Sequence, residues 1–273
     1  MFGLPNQKCR DGRLALFKSP LRPKTDEQAF ATRDLNNEMT LLRGPLKGVE
    51  GVRQLIDTVS LQNESTIDGA QAGVFEYLDN DLDNFHYLKM ESVAFSAMKT
   101  KRLSRTSSDL SIKIIGFGIA ASTPEDRHRT ITNPFWRSPE SWLGLSWGPS
   151  ADIWSFGAII GSLLMEPGFW LLKIVANPRG EFPPEYRDLE SIRALRTLVT
   201  FPPTLLSRVS PELEEMICHL EPNVVQGTPL TLSYFGELFH ADKGGWDFVT
   251  AALEPDPEKR PTATQLLQHP WLR

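Results

Sequence analysis

A helix that is apolar on nearly every side has to be buried, and residues 153–164 describe one. Ile153, Phe156, Ile159, Ile160, Leu163 and Leu164 leave it no polar face, and Asp152 opens it. A core helix of this kind needs other elements around it. A chain of 273 residues can supply them as one substantial core or as two closely packed lobes. The apolar stretch that continues to Ala176 is interrupted by Glu166, Pro167 and Lys173. Its longest uncharged run is therefore too short to cross a bilayer, and no membrane span is expected.

Hydrophobic residues at 40% and charged residues at 23% are ordinary for a soluble globular chain. A formal net charge of -5 argues against general binding to nucleic acid or anionic membranes, which calls for a basic surface. Cys9 and Cys218 are the only cysteines, too few for a disulfide framework or a zinc site. The opening residues Met1 to Asn6 lack a basic flank followed by an apolar run, so no signal peptide is expected. An intracellular location, cytoplasmic or nuclear, is the expectation.

Local patterns divide the chain unevenly. Residues 13–18 read as a strand ended by Ser19-Pro20, and Phe30, Leu35, Met39 and Leu42 place a helix over 30–43. Val52–Val59 and Val74–Leu78 read as two further strands, separated by the turn-rich residues 63–73. Residues 79–110 give little regular signal: Asp79–Asp83 is acidic, and Lys99–Asp109 is basic and rich in Ser and Thr. Ser111–Ile115 is a strand entering a Gly-x-Gly turn, and the remainder reads as mostly helical. Thr262 and Gln265 form a capping-box pattern for a last helix, with Leu266 and Leu267 apolar and Pro270 as its stop.

Four motifs follow one another in order. They are Gly116-Phe117-Gly118, then Trp136-Arg137-Ser138-Pro139-Glu140, then Asp152-Ile153-Trp154-Ser155-Phe156-Gly157, and finally Glu254-Pro255-Asp256-Pro257-Glu258-Lys259-Arg260-Pro261-Thr262. Together they resemble the C-terminal lobe of the eukaryotic protein kinase family, and His269-Pro270-Trp271 matches that family's tail. The resemblance covers residues 111–273 closely and extends more loosely back to Leu14. It implies an α+β, two-lobed protein-kinase-like fold, with an incomplete β-rich N-terminal lobe over 1–78 and a mainly helical C-terminal lobe over 79–273. Residues 79–110 would form a shortened junction, and residues 177–245 are compatible with an insert.

The family transfers phosphate from ATP by neutralising charge and holding the acceptor in line. A strand lysine, held by a helix glutamate, grips the phosphates; one Asp and one Asn bind magnesium; another Asp orients the substrate hydroxyl. By resemblance Lys18 and Glu38 are the candidate cofactor-binding pair, although Lys18 also reads as a surface lysine at a strand end. Only Gly3 and Gly12 precede Lys18, so no glycine-rich loop is expected, and residues 1–12 are too few for the two strands flanking such a loop. Gly116 stands where the family places its metal-binding Asp, and glycine offers a hard cation no side-chain oxygen. Asp109 and Asp126 lie several residues to either side. The run 97–108, where the catalytic loop belongs, holds no His, Asp or Asn, and the segment from Tyr77 to Gly116 is roughly 20 residues short. No catalytic and no metal-binding residue is therefore assigned, and ATP and magnesium stand as cofactors by resemblance alone. The basic cluster Lys99, Lys101, Arg102 and Arg105 reads as a solvated loop, a phosphorylation context or a localisation signal.

The remaining motif residues are structural. Glu140 and Arg260 correspond to a buried ion pair, Phe117 to a packing residue, Gly118 to the turn, and Asp152 to a brace for a catalytic loop that this chain lacks. Thr130, Thr132 and Asn133 fall in the segment that reads the substrate in active relatives. Two functional readings stand. One is a catalytically impaired kinase-like domain that binds or scaffolds protein partners. The other is an active ATP-dependent serine/threonine kinase whose sequence here lacks the glycine-rich and catalytic loops. A non-kinase helical interaction protein would require four ordered motifs to coincide by chance. A sheet without its opening strands would expose an edge, so low stability or dependence on a partner is expected.

Overall fold

The computed structural model describes residues 3–8, 14–20, 25–60, 71–78, 80–81, 93–97, 110–121, 127, 131, 134–165, 171–172 and 187–273. The chain divides into two compact units, Met1–Ala120 and Ala121–Arg273. The first is an antiparallel-sheet unit with one long helix and the second is mainly helical, an α+β arrangement.

In the first unit, strands β1 (Gly3–Lys8), β2 (Leu14–Lys18), β3 (Leu55–Ser60) and β4 (Gln71–Glu76) form a sheet in the order β1-β2-β4-β3. Helix α1 (Asp26–Arg43) packs Leu35, Met39 and Leu42 with Val52 and Phe75 into the core of this unit. Those three helix positions are four and three residues apart and share one stripe. Phe30, expected on the same stripe, is exposed. It lies five residues before Leu35, about 140° around the helix, and carries the Arg33 guanidinium over its ring at 5.2 Å.

No strand is expected before residue 13, but β1 pairs antiparallel with β2 from Gly3↔Lys18 to Lys8↔Leu14. The strand expected from Val52 starts at Leu55 instead. The Gln54 amide donates to the carbonyls of Val52 (3.0 Å) and Val49 (3.3 Å), and its oxygen accepts from Gly48 N at 2.8 Å. That side chain stabilises the preceding turn, and Gly51 at φ +74° belongs to it. Val52 makes a lone parallel bridge to Ile114. Strand β4 begins three residues earlier than expected and takes in Gly73. A Cβ there would lie 2.5 Å from Phe75 Cε2 and 3.2 Å from Met39 Sδ, so the glycine is needed for packing rather than for a turn.

Residues 79–110, which gave little signal, contribute β5 (Asn80–Asp81) and β6 (Val93–Ala97), paired antiparallel with β7 (Leu110–Ile114) in the order β5-β6-β7. Beyond Ala97, the basic run with Lys99, Lys101, Arg102 and Arg105 lies outside the described residues, as do Cys9, Asp109, Asp126, Thr130, Thr132 and Asn133.

The second unit holds α2 (Pro139–Trp142), α3 (Pro149–Leu164), α4 (Arg187–Leu198), α5 (Pro203–Leu206) and α6 (Pro211–His219). A short hairpin of β8 (Val224–Val225) and β9 (Thr228–Pro229) follows, then α7 (Leu232–Leu238), α8 (Lys243–Ala252) and α9 (Ala263–Leu266). Their starts follow local chemistry. Ser210, Thr231, Asp242 and Thr262 each accept a hydrogen bond from the backbone N–H three residues on, and Thr262 with Gln265 closes a full capping box.

Helix α3 buries Trp154 together with the small residues Ala151, Gly157, Ala158, Gly161 and Ser162, rather than every side. Gly157 faces Ala252, where an added Cβ would come within 2.7 Å, and Gly161 faces Leu171 and Val249. Phe156 and Leu163, expected in the core, are largely exposed. Close approach of α3 and α8 through Gly157 and Gly161 leaves Phe156 at the flank, where it meets Phe248 edge-on at 6.1 Å. Among the described residues no helix is long and apolar enough to cross a membrane.

Candidate functional site

The site in the first unit is assembled around Glu38. This residue follows Leu35 by three positions and precedes Leu42 by four, so it shares the buried stripe of α1, and its side chain is 2% exposed. A carboxylate so placed needs a cation. Lys18, at the end of β2, supplies one: its Nζ donates to Glu38 Oε2 at 2.7 Å, and its side chain is 12% exposed. Arg53 supplies a second, with Nη2 3.7 Å from Glu38 Oε1 and a side chain 6% exposed. Both cations lie over the Phe75 ring, Lys18 at 4.9 Å and Arg53 at 5.5 Å from its centroid. Burial pushes the Lys18 ammonium down from its ordinary value. The attraction of Glu38 opposes that shift, and the charge of Arg53 adds to it. Burial lowers Arg53 in the same way, against the pull of Glu38 and Glu76.

The Gly116-Phe117-Gly118 turn packs on the same helix. Gly116 has φ +81° and ψ 41°, in the left-handed region that favours glycine. Phe117 opens a short 3-10 turn and packs against the core of the first unit. A Cβ on Gly118 would lie 2.9 Å from Asp34 Cβ and 3.0 Å from the Asp34 carbonyl oxygen, so only glycine allows this approach to α1. Asn37 ties the turn down: its Nδ2 donates to the carbonyls of Gly118 and Ala120, at 2.9 Å each.

In the second unit, Arg260 and Glu140 meet with both side chains 0% exposed. Arg260 Nη1 donates to Glu140 Oε1 at 2.9 Å, and Nη2 donates to Oε2 at 3.0 Å. The same guanidinium donates to the carbonyls of Glu254 (2.7 Å), Ser150 (2.7 Å) and Pro255 (3.3 Å) and lies over the Trp154 ring at 5.2 Å. Buried Asp256 accepts from Thr204 Oγ1 at 2.7 Å and from Glu258 N at 3.1 Å. Asp152 lies in the first turn of α3 with its side chain exposed; the surrounding protein still pushes its carboxyl upward from the ordinary value. His269 caps the closing 3-10 turn, its Nδ1 accepting from Trp271 N at 3.3 Å.

The residues singled out in the sequence thus fall into three groups, Lys18 with Glu38, Gly116 to Gly118 on α1, and Glu140 with Arg260, while Asp152 stands apart from them in the first turn of α3. Arg53 and Asn37 were missed. Arg53 carried a signal, since a charge stands beside Gln54 inside a segment expected to be a strand from Val52 to Val59. Asn37 carried none beyond its place beside Glu38. Among the described residues no group of three or more His, Cys, Asp or Glu is placed to hold a metal ion.

A family model described as "Protein kinase domain" matches residues 50–272. The dual specificity tyrosine-phosphorylation-regulated kinase mbk-2 of Caenorhabditis elegans is 29% identical over 177 residues, covering 59% of this chain and 21% of that protein. The protein of the same name from Caenorhabditis briggsae matches with the same identity and coverage. The chain spans about a fifth of the length of these curated relatives.

Proposed function

Because the chain belongs to the protein kinase family, we propose that it is a kinase-like domain that transfers little or no phosphate and serves as a binding or scaffolding module for protein partners inside the cell. The observation that carries this reading is Gly116, a residue with no side-chain oxygen and φ +81°, where the family places a magnesium-binding carboxylate. Glycine cannot ligate a magnesium ion through a side chain, and Asp109 and Asp126, the nearest carboxylates in the sequence, lie outside the described residues. Groups that act together in charge stabilisation fail together, and losing one costs several orders of magnitude in rate. The Lys18–Glu38 pair fits a role in holding phosphate, as the first unit keeps it at 2.7 Å. A pair alone binds; it does not orient an acceptor hydroxyl.

The second reading, an active ATP-dependent serine/threonine kinase, is favoured by that same formed pair and by the kinase relatives. One assay separates the two. The purified chain is incubated with γ-labelled ATP, magnesium or manganese, and casein or basic peptide substrates. The expected outcome is no label above a protein-free control. Incorporation approaching the roughly 1–100 per second of active kinases, abolished by Lys18→Met, overturns the proposal in favour of the second reading.

A further inference from the structure

The Glu38 cluster has more positive than negative charge. Lys18 and Arg53 share one carboxylate, and all three side chains are nearly buried. Glu76, the next carboxylate, does not balance the excess, because Lys113 Nζ already sits 2.7 Å from each of its oxygens. Lys18 uses its short contact with Glu38 in full. Arg53 does not: its ion pair is 3.7 Å long, beyond the range of a charge-assisted hydrogen bond. Its Nε, buried, has no hydrogen-bond partner among the described residues, and neither has Glu38 Oε1. A guanidinium has five N–H donors in a planar fork that matches phosphate oxygens two at a time. A buried cation with unused donors beside a second cation is stabilised by an anion, and water is the poorer substitute at this depth.

We propose that Arg53 is an anion-binding residue which, together with Lys18, forms a phosphate site in the first unit that works without a metal ion. Its ligand class is the polyphosphate of a nucleoside triphosphate or a free polyphosphate. Arg53 supplies fixed positive charge of the kind that the family obtains from magnesium. Burial lowers the Lys18 ammonium first, the single Glu38 carboxylate opposes that, and the neighbouring Arg53 charge adds to it. The proposal rests on the reading above only in taking magnesium ligands to be missing.

The test is thermal unfolding of the full chain in EDTA, titrated separately with ATP, inorganic tripolyphosphate and adenosine. A ligand that binds only the folded state raises the melting temperature by mass action. ATP and tripolyphosphate should raise it and adenosine should not; a shift with ATP alone would mean that the base is also required. Arg53→Leu should weaken phosphate binding on the order of tenfold or more, without recovery when magnesium replaces EDTA, and Arg53→Lys should restore part of the affinity. Glu38→Gln loosens the anchor of Lys18 and should weaken binding as well. No shift for the wild type in EDTA overturns the proposal, as does an Arg53→Leu variant that binds like the wild type. If Arg53→Leu does not fold, Arg53→Lys decides: affinity clearly below the wild type supports the site, and affinity equal to the wild type overturns it. Label transfer in the kinase assay would overturn the scaffold reading alone, since the metal-free shift is read without turnover.

Discussion

Replacing Arg260 by Met would leave the Glu140 carboxylate at 0% exposure with no hydrogen-bond donor, because among the described residues Arg260 supplies both of its hydrogen bonds. Removing one partner of a buried ion pair costs about 3–5 kcal/mol. Glu140→Gln is milder, since Arg260 keeps its three carbonyl acceptors at Ser150, Glu254 and Pro255. Its cost should fall near 1–3 kcal/mol, roughly that of one unsatisfied group. At ~2–4 °C per kcal/mol for a unit of this size, Arg260→Met should lower the melting temperature by about 6–20 °C. The double variant Glu140→Leu/Arg260→Met removes both charges and should lose clearly less than the sum of its parts. Urea unfolding of the wild type, single and double variants gives the coupling energy directly. Two results would refute this reasoning: an Arg260→Met loss below about 1 kcal/mol, or additive losses in the double variant.

Three further outcomes are expected. Gly118→Ala places a methyl group within 3.0 Å of the Asp34 backbone and should destabilise the first unit by about 1–3 kcal/mol, measured by chemical denaturation. Asn37→Ala leaves the Gly118 and Ala120 carbonyls without their side-chain donor; faster hydrogen exchange confined to residues 116–120 and α1 is the readout. Burial alone would raise the Asp256 carboxyl, but hydrogen bonds from Thr204 and Glu258 N, with the Lys259 charge, bring it below its ordinary value. Folded Asp256 therefore binds its proton less readily than the unfolded chain does. Its contribution is present above an unfolded pKa near ~3.9 and is lost as the pH falls through the lowered folded value. Thr204→Val should shrink that acid-side loss, seen as a smaller stability difference between neutral and acidic pH.

The amino-acid sequence by itself determined the parts whose causes are local. The α1 stripe of Leu35, Met39 and Leu42 follows from spacing, the capping box at Thr262 from two residues three apart, and the ordered motifs from 116 to 262 from their own residue types. Tertiary structure decided what depends on residues brought together from far apart. Strands β1 and β6 were not read because each is defined by its pairing partner rather than by its own alternation. Phe156 and Leu163 lie at the flanks because Gly157 and Gly161 let α8 approach the other face, a choice set by the fit between two helices. Arg53 joins Glu38 and Lys18 only once folding sets it over the Phe75 ring, next to the turn held by Gln54. A helix period or a cap acts over one or two turns of chain, whereas the charge balance of a buried cluster exists only after folding has removed the water between its members.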